Sequence, residues 1–387
     1  MENFKTNTRL DQLAPSSILA FDAEISKIPG IIKLTLGEPD FNTPEHVKDA
    51  GKTSITNNAS HYTDSSGKLA LRTAASTFLS QKYHANYDPA TQIVVTVGAT
   101  GAIYSTITAL TNPDDEIIIP IPIFPFYIPV TLLNGAKPIF VDTTADGFKL
   151  TPEKLSATLA AHPKAKMLIM NYPTNPTGVT YDRAELEALV APIRNKPIVV
   201  LSDEIYSELS YSQKHVSLGE VLPEQTILVT GVSKSHAMTG WRIGFAAGPA
   251  DLIQKIAMIN QFTVTSATTN AQDAAIEALT AGADDGLIMQ AEYLKRRDYL
   301  IQRLTAMGIE VIKPDGAFYI FMRIPAQFGT DSFAFGHQLA QEAQLGLVPG
   351  GAFPAGEGYM RLSYAASLAN ITTAMDRLEA FINANQK

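Results

Sequence analysis

The strongest constraint on the fold is an alternation through the middle of the chain. Short apolar runs recur at Ile93–Val97, Glu116–Pro120, Pro138–Val141, Met167–Asn171, Pro197–Asp203, Thr226–Thr230 and Arg242–Ala247. Longer stretches with helical periodicity lie between several of them. Strand and helix repeating over roughly 150 residues predict an α/β domain with a mostly parallel sheet, because parallel strands need a crossover to return to the same edge. Two helix starts carry their own signals. Asp182-Arg183-Ala184-Glu185 resembles a capping box ahead of Leu186 and Leu189, and Thr151-Pro152 sets a cap residue before a proline at the first helical position. After about Gly282 the pattern changes to a long helix, Leu287 to Met307, followed by a smaller α+β segment. At 387 residues the chain is long enough for more than one core. In an open parallel sheet, ligands sit at the carboxyl ends of the strands, so polar residues there are the first candidates for chemistry.

Charge and composition remove several function classes. Lys+Arg 30 against Asp+Glu 38 gives a formal charge of -8, which lacks the basic footprint of a nucleic-acid or anionic-membrane partner. With Cys 0 there is no disulfide, no thiolate metal site and no cysteine nucleophile; no metal is expected, and a reducing cytoplasm suits such a sequence. Met1 to Ile18 is polar and mixed, without the apolar run of a signal peptide. The uncharged stretch from Ile117 to Gly135 is long enough to span a bilayer, but Pro120, Pro122, Pro125 and Pro129 interrupt it. Each proline costs a helix interior roughly 3 kcal/mol, so the expectation is a buried strand running into a rigid, aromatic-rich loop.

One lysine stands out. Lys234 follows an apolar run and sits among Gly231, Ser233, Ser235, Ala237, Gly240 and Gly244. An ordinary surface lysine needs no such clearance, whereas a planar group approaching the backbone does. A lysine amine can form a Schiff base with an aldehyde, and its pKa must fall for it to act as nucleophile and base near neutral pH. Arg242 offers a planar, fixed charge suited to phosphate, and Ser233 a hydroxyl. The segment Gly231-Val232-Ser233-Lys234-Ser235-His236-Ala237-Met238-Thr239-Gly240-Trp241-Arg242 resembles the lysine signature of the class I and II aminotransferases, which are fold-type-I enzymes dependent on pyridoxal 5'-phosphate (PLP).

The resemblance extends from about Leu34 to Ser367 and implies the rest of the site. It implies a large PLP-binding domain, 44–282, with a mostly parallel seven-stranded sheet, and a smaller α+β domain formed by 1–43 and 283–387. Lys234 would carry the cofactor. Asp203, in Asp203-Glu204-Ile205-Tyr206, is a carboxylate placed to keep the pyridine nitrogen protonated, so that the ring can serve as electron sink. Tyr206, and Asn175 in Asn175-Pro176-Thr177-Gly178, match the residues that hydrogen-bond the phenolic O3'; as plain sequence, Asn-Pro-Thr-Gly also makes a good turn. Gly98, Ala99 and Thr100 join a strand to a helix, where free N–H groups and the helix dipole can hold phosphate together with Ser233 and Arg242. Phe124 falls where the family stacks an aromatic ring on the cofactor, with Phe126 as a core aromatic.

For the substrate, Gly37 in Gly37-Glu38-Pro39-Asp40 would approach its carboxylate, and Arg361, set in an apolar strand, would grip it bidentately. Glu204 reads as structural, and Glu38 and Asp40 as loop residues. Tyr62 matches a tyrosine that reaches the phosphate of the neighbouring subunit, which implies a homodimer with shared active sites. One departure is visible: position 231 is Gly where relatives often have a phosphate-binding Ser. The implied reaction moves an amino group from an L-amino acid to a 2-oxo acid such as 2-oxoglutarate. Aromatic amino acids are the favoured donors, N-acetyl-LL-2,6-diaminopimelate the close alternative, and a PLP-dependent C–S lyase a third. A transcription regulator on the same scaffold would need a basic DNA-binding module ahead of Gly37, where only some 33 residues precede Leu34.

Overall fold

The computed structural model describes residues 4–385. The outermost ends of the expected small domain, 1–3 and 386–387, lie outside the described residues.

All seven apolar runs are strands of one sheet: Ile93–Val97, Glu116–Ile121, Lys137–Asp142, Ala165–Asn171, Val199–Asp203, Thr226–Gly231 and Ile243–Ala247. Numbered one to seven in that order, they lie side by side as one, seven, six, five, four, two, three. Six run the same way; Ile243–Ala247 alone is antiparallel to both neighbours. The branched residues that define these runs, such as Val94, Ile117, Ile119, Ile169, Leu201 and Val229, are buried under helices, as strands covered on both faces require.

Helix starts follow local chemistry. Asp182 accepts from the Glu185 amide at 2.8 Å while Glu185 accepts from the Asp182 amide at 2.8 Å, closing the capping box of helix Arg183–Val190. Thr151 caps helix Pro152–Ala161 with proline at the first position. The aromatic loop differs from its expectation, because Tyr127–Leu133 is a helix. Pro129 is its third residue, in the first turn, where a missing N–H costs no intrahelical bond.

Beyond the large sheet, Tyr319–Arg323, Val348–Pro349 and Tyr359–Ser363 form a three-stranded antiparallel sheet. The long helix is Gly286–Ala306, and it buries Met289, Tyr293, Leu300 and Leu304 along one stripe. These residues share a core with Phe318, Ile320, Leu362 and Leu378 of that second assembly. No helix among the described residues is long and apolar enough to cross a membrane.

Candidate active site

Six parallel strands bring their carboxyl ends to one edge of the sheet, and the reversed strand begins there. Asn171, Asp203 and Gly231 end three of the parallel strands, while Arg242 precedes the reversed one. A cavity of about 850 Å³ opens at this edge.

Lys234 lies on the turn after strand Thr226–Gly231, and its Nζ donates to the Gly37 carbonyl at 2.5 Å. The ammonium also lies 5.9 Å from the Phe318 ring centroid. Burial lowers the amine to about 8; Arg242 and Arg361 act in the same sense, against Glu38 and Asp203. At physiological pH a minority of the amine, far larger than for an ordinary lysine, is therefore neutral and nucleophilic.

Asp203 is 3% exposed, and burial raises its carboxyl to about 6 against the hydrogen bond from Tyr127. The Tyr127 hydroxyl donates to Oδ2 at 2.6 Å and the Ile205 amide to Oδ1 at 3.2 Å. A carboxylate held this way is aimed, and a protonated heterocycle facing it would supply the countercharge that it lacks.

At the next corner, Gly98 begins helix Gly98–Leu110 and has no side-chain cap beside it. Backbone packing here leaves no room for side chains. A Cβ on Gly98 would lie 2.5 Å from the Arg242 guanidinium, and one on Gly244 would lie 2.3 Å from the Gly98 carbonyl carbon. The Gly98 amide donates to the Arg242 carbonyl at 3.0 Å. The Gly98 amide is thereby taken, and the first helical turn at Ala99 and Thr100, the Arg242 guanidinium and the Ser233 hydroxyl line a cradle that suits a phosphate. Gly231 adds an explanation for the departure noted above. A Cβ there would meet the Ile243 carbonyl oxygen at 2.7 Å, so no serine fits at that point of the ladder.

Arg361 is 3% exposed. Its two terminal nitrogens donate to Asn175 Oδ1 at 3.0 Å and the Thr35 carbonyl at 2.7 Å. The guanidinium lies 4.6 Å from the Tyr319 ring centroid and 5.4 Å from that of Phe353. Its Nε is buried with no partner, so this buried charge meets no carboxylate. An anion entering the cavity would answer that imbalance.

The cavity brings together Gly37, Ala99, Thr100, Phe124, Asn175, Asp203, Tyr206, Ser233, Lys234, Arg242 and Arg361, with Gly98 directly behind Arg242. Tyr62 is not among them; it is 87% exposed. Phe126 packs half-buried against the core and also lines the cavity. Asp40 is more than a loop residue: both its oxygens accept from Arg296 Nη1, at 2.9 and 2.8 Å, tying the Gly37 segment to the long helix. Glu204 is buried against Nε2 of His215 at 2.7 Å and faces away from the cavity lining.

Two residues escaped the sequence reading. Tyr127 holds Asp203, and Tyr319 lines the cavity with its hydroxyl 2.8 Å from that of Tyr206. The signal for Tyr127 was its place in the aromatic stretch; Tyr319 carried none beyond its strand.

Known proteins are similar to this chain in sequence and in fold. A family model described as aminotransferase class I and II matches residues 29–378. A probable N-acetyl-LL-diaminopimelate aminotransferase of Bacillus subtilis is 45% identical, over 97% of this chain and 95% of its own. Aromatic-amino-acid aminotransferase 2 of Thermococcus litoralis is 37% identical over 96% of each chain. The structure of aspartate aminotransferase from Thermus thermophilus with maleate superposes with a TM-score of 0.92 at 35% identity, covering 97% of this chain and 99% of that one.

Proposed function

The chain belongs to the class I and II aminotransferases, a family that depends on PLP and acts on amino and 2-oxo acids, and from that premise we propose a donor and a role for each residue of the site. The donor is an L-amino acid with an aromatic side chain. The observation that carries this is the cavity wall: Ile18, Leu19, Leu36, Ile103, Ile128 and Leu132 line it, and its cations are Lys234, Arg242 and Arg361. Each of those cations has a role below, so none remains in this chain for a second substrate carboxylate.

Lys234 holds the cofactor covalently, with Asp203 at the ring nitrogen, Asn175 and Tyr206 at O3' and Phe124 on the ring face. Ser233, Arg242 and the Gly98-Ala99-Thr100 turn hold its phosphate. When bound, the cofactor supplies an aldehyde that captures the amino group and a protonated ring that accepts the electron pair left on the α-carbon. Arg361 fixes the substrate carboxylate, flanked by Asn175 and Gly37. Lys234, once freed from the cofactor, would take the α-proton on Nζ and return it to the cofactor carbon that the lysine had held. Tyr127 keeps the Asp203 carboxylate turned toward the ring. Residues 44–282 act as the cofactor-bearing domain, and 1–43 with 283–387 as the smaller one that brings Gly37 and Arg361. The exposed Tyr62 supports a homodimer in which it reaches the neighbouring site. The cysteine-free sequence suits a cytoplasmic enzyme.

A second reading, N-acetyl-LL-2,6-diaminopimelate as donor, is favoured by the 45% identity to the Bacillus subtilis relative. Side-by-side kcat/KM values with 2-oxoglutarate separate the two. Phenylalanine and tyrosine are expected to exceed aspartate by about 10² or more, the cost of an unpaired carboxylate against apolar walls. A higher value for N-acetyl-LL-2,6-diaminopimelate than for either aromatic donor would reverse the assignment.

The lowered Lys234 amine makes a second expectation. Only the neutral amine attacks an aldehyde, and below its pKa the neutral fraction falls about tenfold per pH unit. Mixing cofactor-free protein with PLP should therefore give a capture rate that climbs with pH and levels off near about 8. An ordinary lysine would keep climbing toward about 10.4, and stopped-flow absorbance distinguishes the two profiles.

A further inference from the structure

Tyr319 sits where the two halves of the site meet. It opens strand Tyr319–Arg323, which pairs antiparallel with Tyr359–Ser363 so that Arg361 faces Phe321. Tyr319 is two residues from Phe321 and shares its face, which makes it a diagonal neighbour of Arg361. Its ring therefore seats the guanidinium at 4.6 Å. Its hydroxyl points the other way, to the Tyr206 hydroxyl at 2.8 Å. The fit around that hydroxyl is tight, since a Cβ on Gly37 would lie 2.7 Å from it. The side chain is 1% exposed, and what it shows of itself faces the cavity.

A count of protons decides how the pair works. Each phenol has one proton. If Tyr206 spends its own on O3' of the cofactor, as proposed above, the 2.8 Å contact has to be donated by Tyr319. A phenol that accepts a hydrogen bond becomes a stronger donor in turn. We propose that Tyr319 is a positioning residue with two separable parts: a hydroxyl that directs and strengthens Tyr206 donation to the cofactor, and a ring that supports Arg361 under the substrate carboxylate. The proposal rests on the assignment of Tyr206 to O3'.

Substitutions separate the two parts. Tyr319→Phe deletes the hydroxyl and keeps the ring; Tyr319→Leu deletes both; Tyr206→Phe is the reference. The readout is the pH midpoint of the holoenzyme's visible absorbance, which follows the proton shared between O3' and the lysine nitrogen. A donor to O3' stabilises its negative charge and lets that proton leave, so loss of the donor raises the midpoint. Tyr206→Phe is expected to raise it, and Tyr319→Phe to raise it by about a tenth to a third as much, the size of one cooperative bond. The KM for the amino acid should stay within about twofold in Tyr319→Phe and rise about three- to thirtyfold in Tyr319→Leu, the range of a cation–π seat. An unmoved midpoint in Tyr319→Phe beside a raised one in Tyr206→Phe overturns the inference alone. An unmoved midpoint in Tyr206→Phe overturns its assignment to O3' and the inference with it. Equal rises in KM for Tyr319→Phe and Tyr319→Leu overturn the division of labour between hydroxyl and ring.

Discussion

Transamination by a Lys234→Ala variant is expected to fall by about 10⁴-fold or more, and the absorbance of bound cofactor near the visible edge to disappear. The variant loses a nucleophile and a proton carrier in one change. Positioned acid–base catalysis alone contributes about 10²–10⁴, and covalent capture adds to it. No neighbour replaces the amine: Arg242 and Arg361 are the other cations of the cavity, and a guanidinium stays protonated. Lys234→Arg makes the control, because it restores the charge that meets the Gly37 carbonyl and leaves no basic amine. Both variants should be inactive in single-turnover mixing with phenylalanine. Full transamination with retained absorbance in Lys234→Ala would remove the assignment.

The second large effect belongs to Arg361. Truncating one partner of a buried, hydrogen-bonded charge pair costs about 2–5 kcal/mol, so Arg361→Ala should lower kcat/KM for phenylalanine by about 30- to 4,000-fold. Arg361→Lys should recover little, since an ammonium has no planar fork to match the contacts that the guanidinium makes beside the Tyr319 and Phe353 rings. Some of the loss would be structural, because Asn175 and Thr35 each lose a donor. Phenethylamine, which has no carboxylate, separates the two causes. The wild-type preference for phenylalanine over phenethylamine should collapse in Arg361→Ala. A preference that survives would place the carboxylate elsewhere in the cavity.

Much of this was legible before the fold. Lys234 and Arg242 lie in one short segment whose small residues leave room for a flat group, so both could be read locally. Strands such as Ile117–Ile119 and Val199–Leu201 announced themselves by runs of branched side chains that only a doubly covered sheet can bury. The capping box at Asp182 was readable for the same reason, being closed within four residues. What could not be read was contact across the chain. Tyr127 and Asp203 are 76 residues apart, and Tyr206 and Tyr319 are 113 apart. No local pattern says which phenols will meet. The helix at Tyr127–Leu133 was missed because four prolines argue against a membrane span but not against a two-turn helix that holds one of them in its first turn. Tyr62 is exposed and lies outside the cavity.

The single reversed strand has a consequence for how the enzyme tolerates change. Had Ile243–Ala247 run parallel to Thr226–Gly231, a helical crossover would have separated them, and Arg242 would lie about five residues' rise, roughly 17 Å, from the chemical edge. The reversal instead lets one short connection carry both the lysine and the arginine, with Gly231 opposite Gly244 as its last rung. That connection is consequently a measured tether. An added residue between Ser235 and Gly240 would spread the two groups proposed to grip opposite ends of one small molecule. The same insertion at the exposed Gln213-Lys214 stretch, in the crossover between strands Val199–Asp203 and Thr226–Gly231, would lengthen a surface excursion. Length polymorphism among chains built on this plan should therefore collect in the crossovers and be absent from those few residues.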